Sequence, residues 1–338
     1  MIQMAKEETR ILDYLSDKLG GSDSILGITK EISKIYGNAY YSNIYNAIAK
    51  LQKSNIITLH QEGKNRSIKL NLKNPLSIYY LSETEDRKTG RLGLSEYTAN
   101  AFFDLALDSG IITMCLLNYK EYAKINRIEL LIITASNYTE LLTRLLKIES
   151  MRGTKIDPII LTPNELSEML GSEDINRIKD LIIRKNIIYN SEGFWSLIRR
   201  YKINDRISGD TGFPTKIERA EIAYNYNRFG YGLYEDTKQG KTLSIEDTIL
   251  LMSESTEIRI RYGAIILLKK NIEKIKMSYV YYLFKRYDEL GTLKGMLFLL
   301  RRICDRAYTH KIDALLKQIP NKQFKIFNKE MINRYLTE

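Results

Sequence analysis

The chain has 338 residues, 44% hydrophobic and 28% charged, with a formal net charge of +11. That length holds two or three domains with separate cores, and the composition excludes an intrinsically disordered chain. No apolar run approaches the roughly 20 residues a bilayer span needs. The opening MIQMAKEETR lacks the apolar centre of a signal peptide, so a cytoplasmic protein with no membrane partner is expected. Only two cysteines, Cys115 and Cys304, and two histidines, His60 and His310, occur. Buried free thiols are expected, and a Cys/His metal centre or histidine relay is poorly supplied. The charge is uneven. Residues 1–91 carry a net +4, residues 92–256 a net −3, and residues 257–338 a net +10 from 18 Lys/Arg and 8 Asp/Glu. A local surplus of that size points to a polyanionic partner.

In chain order, EETRILDYLSDKL places Ile11, Leu12, Leu15 and Leu19 on one helical face,. A second helix in ITKEISKIYG turns Ile28, Ile32 and Ile35 inward and ends at Gly37 and Asn38,. A third, YYSNIYNAIAKLQKS, keeps Ile44, Ala47, Ile48 and Leu51 for the core. Two alternating runs, NIITLHQ and RSIKLNL, then form a hairpin across Glu62-Gly63-Lys64-Asn65,. This order over residues 7–75 resembles a winged helix-turn-helix domain. The resemblance implies a third helix in the DNA major groove and a wing on the backbone. It therefore assigns Tyr41, Ser42, Asn43, Tyr45, Asn46 and Lys50 to the groove, and Lys64, Asn65 and Arg66 to the wing. Asparagine pairs with adenine and lysine suits phosphate or guanine. The absence of arginine on the outward helix face favours shape-led binding. Exposed tyrosines also suit protein contacts or a homodimer.

Residues 76–94 read as a linker, opened by Pro75 and then polar. A helix, SEYTANAFFDLALDSG, leads to the strand IITMCLL, the strand NRIELLIIT, the helix NYTELLTRLLKIESMRG and the strand KIDPIILT. Alternation of this kind indicates a small α/β domain. With PNELSEML and IIRKNIIYNSEGFWSLIRRY, residues 95–201 resemble the minimal nucleotidyltransferase fold of the archaeal-type subgroup that follows a winged helix. The family pattern implies a Gly-Ser pair, an Asp-x-Asp strand and a third carboxylate. Here Leu117 and Asn118 stand at the Gly-Ser position, Arg127 and Glu129 at the paired aspartates, and Asp157 at the third carboxylate. A leucine obstructs backbone approach to phosphate, and a guanidinium repels a cation where magnesium needs oxygen ligands. The expectation is a pseudoenzyme scaffold with no catalytic residue, metal or cofactor. The alternative is a nucleotidyltransferase with an atypical site. The sequence DTKQGKT ends like a P-loop, but Glu235 replaces its first glycine and no apolar strand precedes it,.

Residues 202–243 read as a connector with one short helix near KIERAEIAYNY, its tyrosines suited to stacking on bases or to packing between domains,. From residue 244 amphipathic segments succeed one another, with Gly291 and Pro320 between them, and resemble a HEAT-like helical array,. Lys269/Lys270, Lys285/Arg286 and Arg301/Arg302 recur at helix ends and form an expected auxiliary nucleic-acid surface,. The fold class expected is an α+β multidomain chain: winged helix, small α/β nucleotidyltransferase-like domain and all-α C-terminal domain. The expected function is non-enzymatic binding of double-stranded DNA in transcription or chromosome regulation. An RNA- or ribosome-associated factor, or a protein docked on an acidic partner, is the rival.

Overall fold

In α1 (Lys6–Asp17), Ile11, Leu12 and Leu15 recur along one face and are buried, and the Glu8 carboxylate accepts the Ala5 N–H at 3.1 Å to close the first turn,. The computed structural model describes residues 4–19, 21–62, 65–94, 96–136, 138–201, 219–229, 240–320 and 324–332. A two-residue strand, β1 (Asp23–Ser24), precedes α2 (Ile25–Tyr36), whose N-terminus is capped by the Ser24 hydroxyl accepting the Gly27 N–H at 3.0 Å,. Gly37, at φ 89°, ends that helix in a backbone region that favours glycine,. α3 (Tyr41–Lys53) buries Ile44, Ala47, Ile48 and Leu51 against α1 and α2. The hairpin β2 (Ile57–Glu62) and β3 (Asn65–Leu70) completes a three-stranded sheet of order β1-β3-β2.

Three details differ from the sequence reading here. Glu62 pairs with Asn65, so both belong to the ladder and the turn is shorter than four residues. β1 has no signature in the sequence, because two residues carry no periodicity. Ile35 is 57% exposed: its turn is the last of α2 and reaches past the core to line a cleft with Tyr119 and Ile183.

Residues 76–94 are not an open linker. α4 (Pro75–Gly90) starts at Asn74, whose side chain accepts the Leu76 N–H at 3.1 Å, with Pro75 in the first turn,. It packs against α1 and against the elements after residue 184. Glu85 and Thr84 on it are fully buried, so its polar residues face protein and give no amphipathic stripe,.

After α5 (Glu96–Ser109) come β4 (Ile111–Leu117), a short α6 (Tyr119–Tyr122), β5 (Arg127–Thr134), α7 (Tyr138–Arg152) and β6 (Lys155–Leu161). α8 (Pro163–Gly171) is capped reciprocally by Thr162 and Glu165,. α9 (Arg177–Ile182), β7 (Lys185–Tyr189) and α10 (Ser191–Arg200) follow. The second sheet has order β6-β5-β4-β7, with β5 and β6 parallel and the other pairs antiparallel. Every residue of β5 is buried, because it is an inner strand covered on both faces,. The fold class is α+β.

α11 (Arg219–Arg228) lies where a connector helix was expected. It docks back on the loop before α9 through Arg228 and Asp174, paired at 2.6 and 2.7 Å. Among the described residues, α12 (Ile245–Glu254), α13 (Ile258–Lys270), α14 (Met277–Arg286), α15 (Leu290–Ile303) and α16 (Arg306–Leu316) follow, with further helical residues at 329–332. The break between α14 and α15 falls at Asp288, at φ 58°, and Gly291 lies inside the first turn of α15 instead of between helices. Among the described residues, no helix is long and apolar enough to cross a membrane. Cys115 is a buried free thiol and Cys304 a half-buried one.

Candidate functional site

Two places bring the sequence-assigned residues together. The first is the outward face of α3. Because its core positions recur every three to four residues, Tyr41, Ser42, Asn43, Tyr45, Asn46 and Lys50 all lie exposed,. The Tyr41 and Tyr45 rings stack on one another with centroids 6.3 Å apart. Lys50 Nζ lies 3.7 Å from the half-buried Glu8, a long contact that holds the exposed lysine weakly,. Arg66 is exposed on β3 and Asn65 begins that strand. Lys64 lies outside the described residues.

The second place is the end of β5 and β6. Their parallel register sets Arg127 beside Lys155 and Glu129 beside Asp157. Arg127 Nε donates to Asp157 Oδ2, and its Nη2 donates to the carbonyls of Lys285 and Arg286 at 3.1 and 2.9 Å. The last carbonyls of a helix have no partner within it, so this arginine caps α14 from the neighbouring sheet. Glu129, fully buried, accepts from Arg286 Nε at 2.5 Å and from the Tyr282 hydroxyl at 3.2 Å. Burial lifts its carboxyl above the ordinary carboxylate range, while Arg286 and Arg177 pull it back,. Lys285 Nζ meets Glu149 at 2.5 Å, and Ser278 donates to the Ile160 carbonyl. The charges at this corner of the sheet are joined to one another in a lock that ties β5, β6 and α7 to α14.

That lock corrects one expectation. Lys285 is buried and Arg286 half-buried, so this pair belongs to the interface between sheet and helices and not to an outer basic surface. Lys269 is half-buried and Lys270 exposed. Arg301 and Arg302 are both exposed, Arg301 paired with Asp313 at 2.7 Å. Leu117 ends β4 fully packed, opposite Glu129 and Lys185, and Asn118 follows at φ 49°. Among the described residues, no grouping of three or more His, Cys, Asp or Glu is placed to hold a metal ion.

A third cluster was not read from the sequence. Lys185, its side chain fully buried, lies 3.4 Å from Glu85 and donates to the Ser16 carbonyl at 3.0 Å. Lys88 joins it through Asp17 at 2.7 Å and Glu85 at 3.8 Å. This network fixes the N-terminal helices to the second sheet through α4. The sequence signal is a lysine beginning the strand KNIIY, followed by Asn186 and then apolar residues.

Comparison of the chain with protein-family models, with curated proteins and with solved structures found no match.

Proposed function

We propose that this is a non-enzymatic DNA-binding protein, a winged-helix reader of double-stranded DNA carried on a nucleotidyltransferase-like scaffold. The observation that carries the reading is the outward face of α3, with two asparagines, a serine, two tyrosines and a lysine exposed together. Asparagine amides suit base edges, while serine and lysine suit phosphate oxygens. The three-stranded sheet beside α3 ends in a hairpin where Arg66 is exposed, a position from which a wing contacts backbone,.

The scaffold reading rests on the Arg127–Asp157 and Arg286–Glu129 pairs, which occupy the two carboxylates facing that corner of the sheet. Lys270, Arg301 and Arg302 add exposed positive charge on the helical region. Phosphate neutralisation makes affinity fall as salt rises.

The test is fluorescence anisotropy with duplex DNA, structured RNA and single strands at one salt concentration, followed by a salt series on the preferred ligand. The expected result is preference for duplex, with a slope that becomes shallower by roughly two in the double variant Lys64→Ala, Arg66→Ala. Tighter binding to structured RNA, or an unchanged slope in the variant, would reject the reading.

A further inference from the structure

The outward face of α3 is laid out in rows. Three or four residues return a helix to the same face, so Asn43, Asn46, Lys50 and Lys53 follow one another along one row,. Tyr41 and Tyr45 form the row beside it, and all six side chains are exposed. Among the described residues neither asparagine amide makes a hydrogen bond, so each offers an acceptor and a donor side by side,. At 1.5 Å of rise per residue the two asparagines stand about 4.5 Å apart along the axis, against about 3.4 Å between base pairs. The tyrosine rings, 51% and 47% exposed, stack into one aromatic surface.

Charge along this helix is graded. The stretch YSNIYNA at its start holds no Lys, Arg, Asp or Glu, and Lys50 and Lys53 come only in the last turn. Guanine is read chiefly by arginine or lysine and cytosine by a carboxylate, whereas adenine suits a bidentate amide and the thymine methyl an apolar contact. The first two turns therefore carry the groups for A·T pairs and lack those for G·C. With no acidic residue on α3, the two lysines complement the phosphate charge beyond them,.

We propose that the first two turns of α3 read A·T base pairs directly in the major groove, Asn43 and Asn46 each pairing with an adenine edge and the Tyr41–Tyr45 stack lying against thymine methyl groups. The proposal rests on the winged-helix reading above and names its target.

The test uses the full chain and fluorescence anisotropy at one salt concentration, with alternating A·T and alternating G·C duplexes of equal length. Alternating steps avoid the narrow minor groove of A-tracts. The A·T duplex is expected to bind at least about tenfold tighter. Replacing adenine by 7-deazaadenine, which lacks the N7 acceptor, should weaken it at least about fivefold. Replacing thymine by uracil, which lacks the methyl group, should weaken it about threefold. Asn43→Ala and Asn46→Ala should each shrink the ratio of A·T to G·C affinity at least about threefold, and Lys53→Ala should lower both affinities alike. Equal or reversed affinity for the two duplexes would overturn the proposal and leave duplex binding standing, whereas failure to bind either would overturn both. An A·T preference that survives both base substitutions, or an unchanged ratio in both folded asparagine variants, would assign the preference to groove shape and overturn direct readout.

Discussion

The outward face of α3 and the C-terminal end of α14 both present polar and cationic side chains in sequence, yet the fold treats them oppositely. On α3 the polar residues point to solvent and Lys50 has only a loose partner at 3.7 Å. On α14, Lys285 and Arg286 turn inward, each 2.5 Å from a carboxylate, Glu149 of α7 and Glu129 of β5. A local surplus of positive charge therefore overstates the charge available to a partner. What counts is whether each cation already has a buried anion, since a desolvated pair must stay paired.

The sharpest way to break this comparison is to remove Arg127. Arg127→Ala strands Asp157 as an uncompensated buried carboxylate and leaves the carbonyls of Lys285 and Arg286 without their donor. The expected loss is about 3–5 kcal/mol in chemical denaturation. A loss below about 1 kcal/mol would mean the lock does not hold the helices to the sheet. Lys185→Ala tests the second buried cation in the same way. Among the described residues it leaves Glu85, fully buried, with Lys88 at 3.8 Å, and a cost of about 3 kcal/mol is expected,.

A further effect concerns pH. Asp247 is fully buried near the start of α12, and burial pushes its carboxyl up to about 7, with Glu246 adding to the rise and bonds from Ser244 and Tyr279 opposing it. The folded state prefers the neutral acid, so this contribution is complete below about pH 4 and is lost as pH rises toward and through 7. The stability curve should fall over that window by at most about 1.4 kcal/mol per pH unit. Asp247→Asn should flatten it, and an unchanged slope in that variant would assign the effect elsewhere. Arg301→Ala should cost least, under about 1 kcal/mol of stability, because its pair with Asp313 is open to water,. Its larger consequence is expected in the salt slope of nucleic-acid binding.

Much of the architecture was legible because apolar periodicity dictates it. The face of α3, the inner strand β5 and the succession from β4 to β6 follow from spacing alone. Polar residues turned inward leave no such pattern. α4 reads as a charged linker since Glu85 and Lys88 serve a buried network, and no local pattern distinguishes that from solvent exposure. Ile35 fits an inward stripe but sits in the last turn, beyond the core that would cover it. Arg127 was visible as an anomaly in an apolar strand. Its partner carbonyls, about 160 residues later, were not, because a long-range cap leaves no trace in local sequence.

The most direct test of the account is duplex affinity in a variant carrying Asn43→Ala, Asn46→Ala and Lys50→Ala, compared with wild type at one salt concentration. These residues are exposed, so folding should be retained. Binding at least about tenfold weaker, equivalent to about 1.4 kcal/mol, is the predicted result. Wild-type affinity in the folded triple variant would contradict it.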